Sequence, residues 1–185
     1  MTEDLELQPM RPPFLFTAMV ALLTTALLDP NMAMAQRGTT TVYVVRHAEK
    51  LDPGDPDSFL SPAGEARARA LWEALRGSGV ERIYATIKAR TQQTVAVVAA
   101  ERDLEIIALL PDAIEDLVDF IRTDDKGKVV LVCGHSNTVP GIVKALSGIT
   151  VDGLTEDQYD RLFKVDIPPD GEPQVTVLRY GDPTP

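Results

Sequence analysis

The chain has 185 residues, enough for one domain with a sizeable core, and its 44% hydrophobic and 25% charged composition is that of a globular protein. Its net charge of −10 weighs against a general nucleic-acid or anionic-membrane binder. Any phosphate site must therefore be a local basic pocket in an acidic surface.

The first 35 residues differ from the rest. Residues 14–28 (FLFTAMVALLTTALL) are an uncharged apolar run, preceded by Arg11 and followed by Ala33-Met34-Ala35. That order is a secretory signal cleaved before Gln36. The run is shorter than the roughly 20 residues of a membrane-spanning helix. The acidic leader at 2–7 is foreign to a signal, which makes Met10 the more natural start. The expected division is a signal peptide over 1–35 and one domain over 36–185, exported to the periplasm or beyond, with no stable membrane insertion after cleavage. An uncleaved anchor is the alternative reading. The lone Cys133 cannot form an internal disulfide and reads as a small buried hydrophobe.

The domain opens with a buried strand over 40–45 that runs straight into Arg46 and His47. A loop rich in Pro, Gly and Asp follows over 51–59. Ser61-Pro62 reads as the N-cap and first position of a helix reaching about Arg76 and stopped by Gly77. Its core face is expected to carry Ala63, Ala66, Ala70, Leu71, Ala74 and Leu75, with Glu65, Arg67, Arg69 and Glu73 solvated. A second strand spans 80–85, a connection 86–90, and a helix 91–102. A third strand spans 105–109 and an amphipathic helix 112–122.

The fourth strand, 129–133, delivers His135, the second of only two histidines. A helix over 139–146 follows. Thr155-Glu156-Asp157-Gln158 reads as a capping box for a small helix reaching Leu162. The end, 163–167 and 174–180 around Pro169-Asp170-Gly171, reads as an edge hairpin. Strands alternating with helices predict an α/β fold, a three-layer sandwich with a mostly parallel central sheet, helices on both faces and the C-terminal hairpin at one edge.

Ligands of open α/β sheets bind beyond the carboxyl ends of the strands, and Arg46, His47, Arg90, His135, Ser136 and Asn137 all fall there. Two guanidinium forks and two imidazoles, with little apolar company, suit a dianionic tetrahedral group. Ser136 and Asn137 open the next helix, whose first N–H groups also favour an anion. A zinc site wants three or four His, Cys or carboxylate ligands, so no metal or other cofactor is expected.

These motifs resemble the histidine phosphatase superfamily, with its phosphoglycerate-mutase-like fold. VVRHAE at 44–49 is similar to its Arg-His-Gly signature with Ala48 for Gly, and LSPAG at 60–64 to the start of its first helix. YATIKARTQQT at 84–94 resembles its Arg-x-x-Gln-Thr segment, and VCGHSNT at 132–138 its second-histidine motif. The resemblance spans about 40–181 and implies a phosphatase in which His47 attacks phosphorus and becomes phosphorylated. It implies that Arg46, Arg90 and His135 hold the phosphoryl oxygens, with His47 neutral and His135 protonated. Thr86 stands where a serine is common, and Lys50 reads as exposed.

The family's general acid follows the third strand, where Asp112 and Glu115 lie, although that pair also reads as the N-cap and N3 of a helix. No long insertion lies between Arg90 and His135 to make a lid, which resembles the small members of the family. Expected partners are a phosphorylated small molecule or a phosphoprotein, and no nucleic acid. A non-catalytic phosphate-binding module of the same fold is the alternative.

Overall fold

The computed structural model describes residues 38–185, so the expected signal segment and its expected cleavage point lie outside the described residues. The chain runs β1 (Thr40–Arg46), α1 (Pro62–Leu75), β2 (Arg82–Thr86), α2 (Ala89–Arg102), β3 (Ile106–Leu109), α3 (Ile114–Thr123), β4 (Val129–Gly134), α4 (Val139–Ser147), β5 (Arg161–Ile167) and β6 (Gln174–Arg179). One sheet takes the strands in the order β3-β2-β4-β1-β5-β6. The pairs β2–β3, β2–β4 and β1–β4 are parallel, and β5 and β6 add antiparallel beyond β1. This is the expected three-layer α/β sandwich with a hairpin edge.

Strand side chains alternate between faces. Val42 and Val44 of β1, with Val130 and Val132 of β4, pack against Leu117, Val118 and Ile121 of α3 and Val139, Ile142, Val143 and Leu146 of α4. Val45, with Leu131 and Cys133, faces Leu71 and Leu75 of α1 and Val95, Val98 and Ala99 of α2. Both faces are covered, so these strands are almost uniformly apolar. Cys133 is buried as expected, and burial raises its thiol pKa far above the usual range.

Several boundaries depart from expectation. In α1 the buried residues are Gly64, Arg67, Ala68, Leu71 and Leu75, whereas Ala63, Ala66 and Ala74 are exposed. Arg67 turns inward because its charge is met. Its Nε donates to Glu49 Oε1 at 2.8 Å, and its two Nη groups donate to the carbonyls of Tyr180 and Asp182 at 3.1 and 3.0 Å. Ser61 does cap α1, accepting from Gly64 N–H at 3.1 Å, with Pro62 at its start. Beyond α1 the left-handed residue is Gly79, not Gly77. The N-cap of α3 is Ala113, with no side-chain cap, so Asp112 is not the capping residue.

Residues 155–158 form one turn and no helix. The capping-box bond is made, since Thr155 N–H donates to Gln158 Oε1 at 3.1 Å. A helix would continue by spending the Thr155 carbonyl on the Tyr159 N–H. Instead Arg46 Nη1 takes that carbonyl at 2.7 Å and the Gln158 carbonyl at 3.1 Å, while Tyr159 N–H goes to Thr184 Oγ1 at 3.1 Å. Asp160, fully enclosed by Arg161, Arg179 and Thr184, then fixes the entry into β5.

Candidate active site

The register between β1 and β4 builds the site. Arg46 stands opposite Gly134, so the next residue of each strand is a histidine, and His47 N–H donates to the Gly134 carbonyl at 2.9 Å. The two rings lie edge to face with centroids 5.4 Å apart. A side chain at Gly134 would come within 2.8 Å of Thr138 Oγ1, the atom that accepts from His135 N–H at 2.9 Å. The turn at 135–138 therefore requires glycine before it. Ser136 and Asn137 lie in this turn, and α4 begins only at Val139.

His47 is 4% exposed, and its Nδ1 lies 2.8 Å from the Ala48 carbonyl. A carbonyl only accepts, so Nδ1 carries the hydrogen and neutral His47 keeps its lone pair on Nε2. Burial, with the positive charges of Arg46 and Arg90, holds its pKa down at about 3, against a backbone hydrogen bond that pulls the other way. The next amide, Ala48 N–H, is pinned by Thr94 Oγ1 at 2.9 Å, and that hydroxyl donates to the Arg90 carbonyl at 2.7 Å.

His135 is set by two neighbours. Arg90 Nη2 lies 3.4 Å from Nδ1 and can only donate, so Nδ1 accepts. Nε2 then carries the hydrogen toward Thr86 Oγ1 at 2.9 Å, the residue at the end of β2. Burial first, then Arg90 and Arg46, lowers its pKa to about 4. The expected protonated His135 is thus corrected: near neutral pH both imidazoles are neutral, because burial foremost, and then the two arginines, disfavour the charged form.

Arg90 lies in the first turn of α2, two residues inside a helix that starts earlier than its apolar pattern suggests. A loop before α1 fixes that turn. Asp57 Oδ1 accepts from Ala89 N–H, and the Pro56 carbonyl from Arg90 Nη1, each at 2.9 Å. Arg46 is 1% exposed and lies against the Tyr159 ring, 4.2 Å from its centroid. Besides its two carbonyls it meets Glu156, whose Oε2 accepts from Nη2 at 2.9 Å. Glu156 Oε1 in turn accepts from Ser136 Oγ at 2.6 Å.

The structure therefore unites Arg46, His47, Arg90, His135 and Ser136. Asn137 is exposed beside them. Asp112 and Glu115 are both exposed and are not among the main charges felt by either imidazole. The carboxylate that does reach the site is Glu156. The Ser136 hydroxyl foremost, then Arg46, Lys50 and His47, hold its pKa below the usual carboxylate range. Sequence reasoning missed it and Tyr159, since residues 155–158 read as a helix cap. Among the described residues no group of three or more His, Cys, Asp or Glu is placed to hold a metal ion.

The family model of the histidine phosphatase superfamily (branch 1) matches residues 42–111. A protein of Enterobacter sp. described as "Probable phosphoglycerate mutase GpmB" is 39% identical over 72 residues, 36% of this chain and 34% of its own length. The chain thus aligns with about a third of that relative. Among solved structures, the protein histidine phosphatase SixA complexed with tungstate superposes with a TM-score of 0.61 at 19% identity, covering 75% of this chain and 96% of the other. Phosphoserine phosphatase of Entamoeba histolytica, in complex with 3-phosphoglyceric acid, gives 0.59 at 13% identity, covering 78% and 98%. Identities this low speak for the fold alone. The family model, the four motifs and the fold all point the same way: this chain is similar to the histidine phosphatase superfamily over residues 42–111 and shares its fold.

Proposed function

We propose that the protein is a phosphatase that hydrolyses phosphoramidates or phosphomonoesters through a phosphohistidine on Nε2 of His47. The carrying observation is the register of β1 and β4, which sets a neutral His47, with its lone pair on Nε2, beside His135 and between two arginines. In this reading Nε2 attacks phosphorus in line, the P–O or P–N bond breaks, and the leaving group departs with the bonding pair. Arg46 and Arg90 stabilise charge on the equatorial oxygens. A bound dianion favours protonation of His135, turning it from acceptor of Arg90 into a donor to the phosphoryl group. Water then cleaves the P–N bond to His47 and releases phosphate.

Leaving-group chemistry narrows the substrate. Asp112 and Glu115 are exposed and are not among the main charges felt by either ring, and Glu156 is held ionised, so no carboxylic acid stands ready at neutral pH. That favours groups that leave without a carboxylic acid: a phenol as its phenoxide, or an amine or imidazole, which leaves as a neutral molecule once solvent has protonated it. The loops at the same end of the sheet expose Leu51, Phe59, Ile87 and Leu110, each by more than half. Such a rim favours a phosphoprotein over a small metabolite. Export of the mature domain is part of the proposal, resting on the apolar run at 14–28, and N-terminal sequencing of secreted protein should begin at Gln36.

The test is turnover of p-nitrophenyl phosphate and of a phosphohistidine-bearing protein by wild type and His47→Ala. Wild type should be active, and should carry acid-labile, base-stable phosphate after quenching. His47→Ala should do neither. Undiminished hydrolysis by the variant sinks the mechanism. A wild type that binds tungstate but leaves both substrates intact is a phosphate-binding module instead.

A further inference from the structure

Glu156 is placed where a substrate should be. The side-on edge of a guanidinium presents Nε and Nη2, the pair that clamps a phosphoryl group bidentately. On Arg46, Nη1 is consumed by the carbonyls of Thr155 and Gln158, which are fixed parts of the turn. Nε is buried and has no partner, and Nη2 is taken by the Glu156 carboxylate. Arg46 is thus nine-tenths buried and more, with one free arm and one arm occupied by an internal anion. The two ends of this ion pair are unequal, for Arg46 is 1% exposed and the Glu156 side chain 79%. The carboxylate is the end that can leave. Ser136 Oγ, its other anchor, stands on the turn after His135, at the mouth of the same pocket.

We propose that Glu156 is a specificity-determining residue that selects substrates by the charge beside their phosphoryl group. This rests on the phosphatase reading above. A phosphoryl group entering the pocket displaces the carboxylate from Nη2 and takes the Nε–Nη2 edge. The displaced carboxylate stays tethered at 155–158, facing the group attached to phosphorus. A cationic neighbour pairs with it and offsets the lost ion pair. An anionic neighbour is repelled by it. Small carboxylated phosphoesters are therefore disfavoured, and phosphoryl groups borne on basic side chains are favoured.

The experiment compares phosphoethanolamine and phosphoglycolate, similar in size and opposite in neighbouring charge, as competitive inhibitors of p-nitrophenyl phosphate hydrolysis. It is run with wild type, Glu156→Gln and Glu156→Ala. Two charges a few ångströms apart at a partly screened site predict that wild type favours phosphoethanolamine about tenfold. Both variants should bring the ratio of inhibition constants close to one. Inorganic phosphate should inhibit both several-fold more tightly, having no carboxylate to displace. Gln keeps the bond from Arg46 on its amide oxygen and can donate its NH2 to Ser136 Oγ, so it reads the charge even if the Ala variant misfolds. A ratio unmoved in Glu156→Gln, or phosphate affinity that falls or stays, overturns the inference while leaving the phosphatase reading intact. Failure of wild type to bind any of these anions overturns both.

Discussion

Neutral histidines buried among arginines make stability depend on acid in a way that can be worked out. In the unfolded chain both imidazoles titrate near the ordinary 6.5, but in the folded chain His47 takes its proton only at about 3 and His135 at about 4. The unfolded state therefore binds more protons across that window, and folding stability falls as pH drops below about 6.5. Each depressed imidazole costs about 1.4 kcal/mol per pH unit, so the pair removes about 4 kcal/mol between pH 7.5 and pH 5.0. That is a large share of a typical net stability of about 5–15 kcal/mol. Depressed carboxylates such as Asp160 also lose stability in acid, but chiefly below their ordinary range. Urea unfolding at the two pH values, in wild type and in the double variant His47→Gln/His135→Gln, isolates the histidines, since the carboxylates are common to both. Wild type should lose about 4 kcal/mol more than the variant. Because the chain holds only two histidines, NMR titration of their ring signals gives the same answer directly. An equal loss in both proteins, or a ring titrating between pH 6 and 7, would refute the electrostatic account of the pocket.

Other predictions follow from single contacts. Thr86→Val removes the acceptor of His135 Nε2–H and should lower kcat/KM on p-nitrophenyl phosphate about tenfold and stability by about 1–3 kcal/mol, with Thr86→Ser restoring both. A methyl group on Gly64 would come within 2.4 Å of the Glu49 carbonyl oxygen, so Gly64→Ala should cost about 1–3 kcal/mol in urea unfolding, where an exposed helical glycine would gain from the same change. Replacing Phe59 and Leu110 together by Ser should weaken turnover of a phosphoprotein several-fold and leave p-nitrophenyl phosphate unaffected, since these side chains stand on the rim and outside the anion pocket.

The four residues that converge on the pocket were legible because their positions follow from local pattern. Apolar, β-branched runs ending in Arg46-His47 and in Gly134-His135 mark strand exits, and a parallel sheet carries all its strand exits to one end. Arg90 was legible through its place after β2. The residues that regulate those four were not. Glu156 and Tyr159 meet Arg46 across more than a hundred residues, and only the antiparallel pairing of β5 with β1 brings them there. The same pairing converts a good capping box into a single turn. Arg67 escaped for a similar reason: helical periodicity assigns an arginine to solvent, and only the distant Tyr180 and Asp182 carbonyls, with Glu49, make its burial tolerable. The charge of His135 was misjudged because the ring's burial, which lowers its pKa more than the arginines do, is set by the tertiary packing and not by the local pattern.

Backbone carbonyls keep the two guanidinium groups in place. Each arginine has one terminal nitrogen engaged by backbone carbonyls, Arg46 with Thr155 and Gln158 and Arg90 with Pro56, and these bonds fix position without neutralising charge. The other terminal nitrogen of each is held by an exchangeable group, the Glu156 carboxylate for Arg46 and the neutral His135 ring for Arg90. The Nε of each is buried without a partner. A buried donor left unpaired costs about 1–3 kcal/mol, and under the proposed function a phosphoryl group accepting from these Nε groups would relieve that cost. Under the proposed function, affinity for the phosphoryl group would come largely from donors that the fold has already desolvated and oriented, and specificity from how easily the groups on the other nitrogens give way.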